Sequence, residues 1–583
     1  MSYEAWFTLA VVVICLALQI LERVGAAAGF LGATVVLLLA GVLTPSEAFA
    51  GFSSPAPITV AALFVLARAV EKAGLLYRLT NAILGAADRG RQTLAMLVSS
   101  IAALSAFINN TPLVAVAAPQ VADWAHRRGL PPSKYLMPLS YATILGGVIT
   151  TVGTSTNLVV SGMLEADGYG PLNLFDITPV GLPVAIAGCA LLVWLAPVLL
   201  PVRRTARAEL EEGTREFVIS MRVVPGGPLD GVTVEEGGLR HLQGVFLFQV
   251  NRDKEVLAPV SPTVVFKGDD LVSFAGQVDT IVDLQRIPGL VSAEAKHIAP
   301  EGHHVLVEAV VGWQSPLVGR TLRDVEFRRQ YQAAVLAIHR AGGRVESKLG
   351  VVTLAPGDTL LLLTDAGFIT RWRHRRDFLL VAQLDAPTPG PPRYTWRVAL
   401  IAAAIVLPVA LDLVPMLQMA VAGAFAFVMA RVLTVTEAIE SIDTDVYILI
   451  SASLGLGTAM EKSGLSQSLA DALVWVLADA GPLGPLVGVV LATVVLTELV
   501  TNNAAAAIMY PIATATAPAV GIDVRAMAIA VAVMASCSFL TPIGYQTNMM
   551  VYGPGGYRFL DYTRLGTPLT VVSILLVTWL TYR

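Results

Sequence analysis

The fold is decided by the stretch Ser105–Pro112, which reads Ser-Ala-Phe-Ile-Asn-Asn-Thr-Pro and lies inside an apolar run from Leu94 to Ala125. Two adjacent amides and a hydroxyl divide this run into halves that are both shorter than the roughly 20 apolar residues needed to cross a bilayer. A polar turn at membrane depth is tolerated only where it is buried in protein or lines a wet cavity. The stretch therefore predicts a re-entrant helical hairpin, whose two arms enter and leave the membrane on one side.

A second stretch of the same kind lies far downstream, at Thr497–Ala504, and reads Thr-Glu-Leu-Val-Thr-Asn-Asn-Ala. A further polar break follows each stretch at nearly the same distance, at Gly153–Asn157 and at Gly544–Asn548. This order and spacing indicate two repeats, each with about five membrane spans and one hairpin. Because five is odd, the second repeat is predicted to be inverted in the membrane.

The composition agrees with a membrane protein. The chain has 583 residues, of which 55% are hydrophobic and 14% charged, and its mean hydropathy is +0.69. Soluble domains carry about 25% charged residues, so the fold class is a polytopic α-helical membrane protein. The lipid bilayer is its first partner, and no nucleic-acid partner is expected. The cysteines Cys15, Cys189 and Cys537 lie in apolar runs, where core residues are expected rather than disulfides or metal ligands.

The basic residues predict the orientation. They cluster at 89–91, 126–134 and 203–207, and the positive-inside rule places these clusters in the cytoplasm. The acidic loop Glu165–Asp176 then lies outside. We expect a multi-pass protein of the cell inner (plasma) membrane with both termini outside. Its first hairpin opens to the cytoplasm and its second hairpin opens to the outside.

A segment of a different kind, residues 203–392, holds most of the charges. Short apolar alternations between turn residues predict strands, and the segment repeats, since Val265–Leu271 matches Leu354–Leu360. We therefore expect a cytoplasmic α+β insert of two modules. The predicted domains are a first membrane repeat at 1–202, the two modules at 203–295 and 296–385, and a second membrane repeat at 386–583.

The polar breaks suit the binding of ions. A broken helix exposes carbonyls at the end of one half, which favour cations, and N–H groups at the start of the next, which favour anions. The side-chain oxygens of Asn, Ser and Thr suit Na⁺. No Lys or Arg lies near a break in the sequence, so an anion would be held by dipoles, neutral donors and a co-bound cation. Glu498 is the carboxylate near a break, and it lies either at membrane depth, as a functional candidate, or near the outer surface.

With these residues placed, the membrane part resembles the divalent anion:sodium symporter (DASS) family of the ion transporter superfamily. That family carries a Ser-Asn-Thr motif at each hairpin tip, where this chain reads Asn109-Asn110-Thr111 and Thr501-Asn502-Asn503. Its broken helices often read Thr-Pro-Pro-Asn, where this chain reads Thr-Ser-Thr-Asn at 154–157 and Tyr-Gln-Thr-Asn at 545–548. The resemblance covers both membrane halves.

The resemblance implies two Na⁺ sites with an anion between them. The residues that it implies for the first Na⁺ site are Ser105, Asn110 and Gly153, and those for the second are Thr497, Asn502 and Gly544. The residues that it implies around the anion are Asn109, Thr111, Thr156, Asn157, Thr501, Asn503, Thr547 and Asn548. The family also implies a homodimer, in which the hairpin-bearing part moves like an elevator.

The two soluble modules resemble TrkA C-terminal (RCK-C) domains. Such domains recur in a branch of the family associated with sulfate uptake, and elsewhere they sense small ligands and regulate K⁺ channels and transporters. The resemblance implies import of a small divalent anion, with sulfate first and a four-carbon dicarboxylate, by Na⁺ symport or anion exchange, second. The insert is either the site of a small-molecule regulator or a dimerisation scaffold.

Two other classes of function compete with secondary transport. RCK-C modules alone suggest a ligand-gated ion channel, but the repeated hairpins argue against it and no selectivity-filter sequence is present. An enzyme is not expected, because six of the seven histidines lie in the soluble segment and no metal-ligand cluster, Ser-His-Asp pattern or phosphate loop is found. The insert also lacks a GxGxxG motif, so NAD binding is not expected.

Overall fold

The structure is a computed structural model. The residues that it describes are 1–21, 23–74, 80, 83–84, 90–202, 218–239, 245–252, 255–257, 260–276, 287–292, 304–312, 315–340, 343–345, 349–365, 367–372, 375, 377–383, 395–411, 413–477, 481 and 483–583. The chain divides into two compact units, one formed by Met1–Arg203 with Pro387–Arg583 and the other by Arg204–Ala386. The boundaries predicted between domains, at 202–203, 295–296 and 385–386, fall on residues outside the described ranges.

The first unit is helical over its described residues. The helices of its N-terminal part are Tyr3–Ile20, Ala26–Leu39, Pro45–Phe49, Pro55–Lys72, Gly90–Ser105, Asn110–Arg127, Leu136–Gly147, Ser155–Ala166 and Thr178–Leu199. Those of its C-terminal part are Thr395–Ala410, Met416–Met429, Val435–Glu440, Thr444–Lys462, Leu465–Val476, Gly484–Leu499, Asn502–Val520, Val524–Ser536, Gln546–Tyr552 and Phe559–Tyr582.

Four helical segments of this unit, among the described residues, are long and apolar enough to cross a membrane. They are Tyr3–Ile20, Pro45–Lys72, Thr178–Leu199 and Phe559–Tyr582. Many of the other apolar helices are shorter, and two pairs of them meet at the polar stretches quoted above. The prediction of a mostly helical, multi-pass membrane protein is confirmed.

The turn of the first hairpin follows from its sequence. The helix Gly90–Ser105 ends just before the two amides, and Asn109, with φ −55° and ψ 141°, is the N-cap of the helix Asn110–Arg127. Pro112 is the third residue of this second helix, where a backbone N–H has no partner within the helix, so its ring costs no hydrogen bond. The polar side chains of Asn109, Asn110 and Thr111 therefore lie at the tip.

Two ion pairs join the N-terminal and C-terminal parts of the helical unit at equivalent places. Lys72 Nζ lies 2.6 Å from a carboxylate oxygen of Glu437, and Lys462 Nζ lies 2.9 Å from one of Glu47. Each glutamate also closes a capping box at the start of its own short helix. The same local structure thus occurs twice, once in each part of the unit.

The second unit contains two antiparallel sheets of five strands each. The first has the order β3-β2-β4-β1-β5, with β1 at Val218–Val223, β2 at Val245–Arg252, β3 at Glu255–Leu257, β4 at Leu271–Gly276 and β5 at Leu290–Ser292. The second has the order β10-β6-β9-β7-β8, with β6 at His304–Val311, β7 at Ala333–Arg340, β8 at Gly343–Arg344, β9 at Thr359–Asp365 and β10 at Phe378–Gln383. Short helices at Phe327–Tyr331 and Phe368–Trp372 pack their aromatic side chains into the core of the second sheet.

Each sheet contains an equivalent ion pair between a buried aspartate and an arginine. Arg340 donates from Nε and Nη2 to the two carboxylate oxygens of Asp358, at 2.7 and 2.6 Å, and Asp358 is 1% exposed. Arg252 and Asp270 form the same pair at 2.8 and 2.7 Å. The hydrogen bond with Asp358 raises the pKa of Arg340 above its usual value. The ion pair thus favours the charged form of the guanidinium.

Replacing Asp358 by alanine is expected to destabilise the second module by about 2 kcal/mol, because Arg340 and the Ala355 N–H lose their acceptor. The measurement is limited proteolysis of the full chain in detergent, with cleavage in the insert expected to be faster. The control is Asp365→Ala, whose partner Arg371 and whose own side chain are 43% and 42% exposed, so that little stability is lost. Equal cleavage of the two variants would contradict the prediction.

Candidate functional site

The polar breaks are brought together by two hairpins and two broken helices. The first hairpin consists of the helices Gly90–Ser105 and Asn110–Arg127, and the second of Gly484–Leu499 and Asn502–Val520. The first broken helix consists of Leu136–Gly147 and Ser155–Ala166, and the second of Val524–Ser536 and Gln546–Tyr552. The sequence-predicted site residues lie at the tips of the hairpins, in the interruptions of the broken helices, or in the first turn of the helix that follows an interruption.

Three buried oxygens converge at the tip of the first hairpin, and we call them the first oxygen cluster. Ser105 Oγ lies 2.5 Å from Asn110 Oδ1 and 2.7 Å from the Thr143 carbonyl oxygen. Ser105, Asn110 and Thr143 are all completely buried. A hydroxyl has one hydrogen to donate, so at least one of these two close oxygen pairs has no hydrogen between its atoms. Such a set of neutral oxygens has the chemistry of a ligand set for a hard monovalent cation.

The second oxygen cluster repeats this arrangement in the second half. Thr497 Oγ1 lies 3.0 Å from Asn502 Oδ1 and 2.5 Å from the Ala535 carbonyl oxygen. Thr497 is completely buried and Asn502 is 8% exposed. The single hydroxyl hydrogen again serves only one of two acceptors. The structure therefore brings together Ser105 with Asn110, and Thr497 with Asn502, which are the pairs that the family resemblance implied for the two Na⁺ sites.

The two predicted glycines, Gly153 and Gly544, lie in tightly packed parts of the broken helices. No larger side chain fits at either position. A Cβ on Gly153 would lie 2.5 Å from the Gly147 carbonyl oxygen, and a Cβ on Gly147 would lie 2.8 Å from Asn110 Oδ1. A Cβ on Gly544 would lie 2.0 Å from Ser538 Oγ and 3.2 Å from the Thr497 carbonyl oxygen. Glycine at these positions lets the broken helices approach the hairpin tips.

Asn157 and Asn548 hold the interrupted backbone of the broken helices. Asn157 Nδ2 donates to the carbonyl oxygens of Gly147 and Thr150 at 3.2 and 2.9 Å. Asn548 Nδ2 donates to those of Ser538 and Thr541 at 3.1 and 3.3 Å. These carbonyls lie where a helix ends and have no partner within it. The amide nitrogens of both asparagines are therefore engaged with the protein's own backbone.

The remaining predicted anion contacts differ in their surroundings. Thr547 is buried, with its hydroxyl 2.9 Å from Ser140 Oγ. Thr156 is also buried, and its hydroxyl donates to Asn503 Oδ1 at 2.9 Å. Asn109 and Thr501 are half-buried, and so is Thr111. The half-buried residues are thus the ones that a solute can reach.

Tyr545 connects elements of both halves and was missed by the sequence analysis. Its hydroxyl accepts a hydrogen bond from Asn110 Nδ2 at 2.6 Å and lies 3.2 Å from Thr154 Oγ1. One side chain thus joins the tip of the first hairpin, the first broken helix and the second broken helix. The available signal was the tyrosine that stands where the resembled motif has a threonine.

The tip of each hairpin also meets the broken helix of the opposite half. Thr111 Oγ1 donates to Gln546 Oε1 at 3.1 Å. Asn503 Oδ1 accepts from Ser155 Oγ at 3.2 Å, in addition to its bond from Thr156. No lysine or arginine among the described residues hydrogen-bonds to any of these side chains. Apart from the carboxylate of Glu498, the electrostatics of the site therefore come from neutral hydroxyls, amides and backbone dipoles.

Glu498 lies next to the second oxygen cluster. Its Oε1 accepts from the Leu540 N–H at 2.9 Å, and a Cβ on Gly544 would lie 2.9 Å from its Oε2. Within the described part of the chain, its Oε2 and Ser538 Oγ are buried without a hydrogen-bond partner. Glu498 is thus packed inside the protein, against the second broken helix.

A cavity of about 130 Å³ lies beside the tip of the first hairpin. Apolar side chains of Pro55–Lys72, Thr395–Ala410 and Met416–Met429 form much of its wall, and Asn109 and Ser155 line it as well. Apolar walls give a dianion nothing to replace its water. The cavity is therefore a gap in the packing beside the tip, and not the place where an anion would bind.

Sequence comparison relates the chain to known transporters. The family model described as citrate transporter (CitMHS) matches residues 16–534. A Chlamydomonas reinhardtii protein described in connection with the sulfur deprivation response is 35% identical, over 93% of this chain and 95% of its own length. An uncharacterised transporter of Synechocystis is 34% identical, over 98% of this chain and 96% of its own length.

A third relative carries a substrate in its name. The sodium/sulfate cotransporter 1 of Chlamydomonas reinhardtii is 24% identical, over 91% of this chain and 84% of its own length. The family model spans most of the chain, and the relatives align with it over nearly its whole length. The chain therefore belongs to the citrate transporter (CitMHS) family, and it is a membrane permease of the ion transporter superfamily.

Proposed function

We propose that this protein is a secondary active transporter that imports sulfate together with Na⁺, as a member of the DASS branch of the superfamily. The observation that carries the proposal is the pair of oxygen clusters, in each of which a buried hydroxyl faces two acceptors with one hydrogen. A bound cation would satisfy the oxygens that the hydroxyl leaves unserved. The relative named as a sodium/sulfate cotransporter and the relative connected with sulfur deprivation support sulfate as the anion.

The charges of the substrates explain how a site without a basic residue would hold a dianion. One Na⁺ in each oxygen cluster would offset the double negative charge of sulfate. Opposite charges at about 4 Å attract by about 4 kcal/mol at an effective dielectric constant of 20. Without the cations the anion would meet only neutral donors, so binding of the anion would depend on Na⁺. This dependence is the coupling that a symporter needs.

The anion would lie between the two clusters, against the half-buried side chains at the tips. The candidate donors there are the amide of Asn109, the hydroxyl of Thr501 and the amide nitrogen of Asn503, while Thr111 would act through Gln546, to which its hydroxyl donates. Four other residues would position these donors without touching the anion. Thr156 would hold Asn503, and the interrupted backbone would be held by Asn157, Thr547 and Asn548. Gly153 and Gly544 would supply backbone to the two cation sites.

Alternating access would come from two inverted repeats that move the hairpins as an elevator. Three matched features support a repeat. They are the ion pairs of Lys72 and Lys462, the two capping boxes and the two oxygen clusters. The cavity beside Asn109 supports the movement, because a loosely packed surface slides at lower cost than a close-packed one. The first hairpin would open to the cytoplasm and the second to the outside, in a homodimer with both termini outside the inner membrane.

The soluble unit would be a cytoplasmic pair of RCK-C domains. Its two five-stranded sheets with equivalent Arg–Asp pairs support two copies of one module. The unit would bind a small-molecule regulator or hold the two subunits together.

Uptake by purified protein in liposomes tests the proposal. We expect labelled sulfate to accumulate when Na⁺ is supplied outside, and not when K⁺ replaces it. Sulfate uptake that does not depend on Na⁺ would support sulfate as the substrate and refute the two proposed Na⁺ sites. Absence of sulfate uptake under both conditions would refute the proposal.

The second candidate is symport or exchange of a dicarboxylate, which the match to the citrate transporter model favours. Succinate and citrate, offered in the same vesicles with and without internal anion, test it. Accumulation of succinate in preference to sulfate would establish the second candidate, and dependence on internal anion would establish exchange.

A further inference from the structure

Two primary amides of the second half, Gln546 and Asn503, face the site in the same way. Each has its side-chain oxygen fixed by a hydroxyl of the other half: Gln546 Oε1 accepts from Thr111, and Asn503 Oδ1 accepts from Ser155. Among the described residues, no acceptor lies within hydrogen-bond distance of Gln546 Nε2 or Asn503 Nδ2. An amide with its oxygen fixed in this way turns its N–H₂ group in the opposite direction. Both amides therefore have two oriented donors to offer.

Gln546 is the more accessible of the two. Its side chain is exposed, whereas Asn503 is 9% exposed. It occupies the position of Ser155 in the other broken helix, since both immediately follow the N-cap of the second half-helix. A glutamine is longer than a serine and reaches across to Thr111 on the hairpin tip. The gap between tip and broken helix is thus bridged on this side by a long, flexible side chain.

We propose that Gln546 binds the transported anion through Nε2 and sets its size, so that the site accepts a compact tetrahedral dianion and excludes a longer dicarboxylate. The proposal rests on the proposed function and names a residue that selects the substrate of that same site. With Thr111, Gln546 spans the gap between the hairpin tip and the broken helix, and the second carboxylate of a four-carbon acid would need this gap. A neutral amide can donate an N–H to an oxygen of a small anion without adding a charge.

The test is the variant Gln546→Ser, which copies the residue of the other half. The assay uses the full chain in liposomes with Na⁺ supplied outside. We expect the ratio of sulfate uptake to succinate uptake to fall by about tenfold, as for the loss of a contact that fits the substrate. Succinate is also expected to inhibit sulfate uptake by the variant and not by the wild type. The control is Gln120→Ser, since Gln120 bonds only to the Val116 carbonyl of its own helix.

Two further variants separate binding from structure. Gln546→Asn keeps the amide but shortens it, and we expect an intermediate ratio. Thr111→Val removes the hydroxyl that fixes the amide, and together with Gln546→Ser it is expected to change the ratio no further than Gln546→Ser alone, because the two residues act as one pair. Stabilisation of the detergent-solubilised protein by sulfate, measured as a rise in Tm, reports binding if a variant does not transport.

The outcomes distinguish this inference from the proposed function. If the wild type takes up neither anion, the proposed function fails and this inference fails with it. If the wild type takes up sulfate and Gln546→Ser has the same sulfate-to-succinate ratio and the same stabilisation by sulfate, the inference alone fails. A fall in the ratio with Gln120→Ser equal to that with Gln546→Ser would also overturn it.

Discussion

Replacing Asn110 by alanine is expected to abolish Na⁺-driven sulfate uptake and leave the protein folded. The change removes one of the three oxygens of the first oxygen cluster and the donor that reaches the Tyr545 hydroxyl at 2.6 Å. We expect uptake to fall by about a hundredfold or more, which corresponds to about 2.7 kcal/mol. The measurement is labelled sulfate uptake into liposomes under a Na⁺ gradient, with Tm in detergent as the check on folding.

Asn502→Ala is expected to have the same effect, because the second oxygen cluster has the same geometry. The matched control is Asn173→Ala, an exposed asparagine of the same unit whose side chain makes no hydrogen bond with the described residues of either cluster. Wild-type rates in either Asn110→Ala or Asn502→Ala would refute the assignment of the cation sites. A loss of uptake in Asn173→Ala would show that the assay reports folding and not the site.

Replacing Tyr545 by phenylalanine is expected to lower sulfate uptake by about tenfold or more, although the ring remains in place. The hydroxyl is the acceptor for Asn110 Nδ2, and its loss leaves a buried donor unsatisfied at a cost of about 1–3 kcal/mol. Asn110 then turns to find another partner, and its Oδ1 leaves the position beside Ser105. We expect the Na⁺ concentration for half-maximal uptake to rise, because the first cation site is no longer held in shape.

A matched tyrosine tests whether this effect belongs to the site. The hydroxyl of Tyr447 donates to the Phe52 carbonyl at 3.1 Å, within the same unit and away from the hairpin tips. Tyr447→Phe is expected to keep the Na⁺ dependence of the wild type. An unchanged Na⁺ dependence in Tyr545→Phe would mean that the link between the halves has no part in cation binding.

Much of the architecture was predictable because the signals are strong and local. Amides and hydroxyls in the middle of an apolar run have few places to go in a membrane protein, so Asn110 and Asn502 marked the hairpin tips. The pairs Ser105 with Asn110 and Thr497 with Asn502 are local as well. The two residues of each pair are five positions apart, on either side of the turn at a hairpin tip. The strands of the soluble segment followed from alternation and turn residues.

The roles of Asn157 and Asn548 show the limit of such reasoning. From the sequence they are polar residues in a break, and the family resemblance implied that they contact the anion. In the structure their amide nitrogens serve backbone carbonyls that the interruption of the helix leaves without partners. Which carbonyls need a partner depends on the path of the backbone through the break, and this path is not written in the residue types.

The sequence by itself determined where the chain must break and which chemistry the breaks carry. The reason is that a polar residue at membrane depth is costly unless the surrounding protein satisfies it. Only the tertiary structure decided which tip meets which broken helix. Asn110 and Tyr545 lie 435 positions apart, and so do Thr111 and Gln546. Contacts at this separation depend on how whole helices pack, so the sequence placed Tyr545 and Gln546 in a polar break but could not show that they bond to residues of Ser105–Pro112.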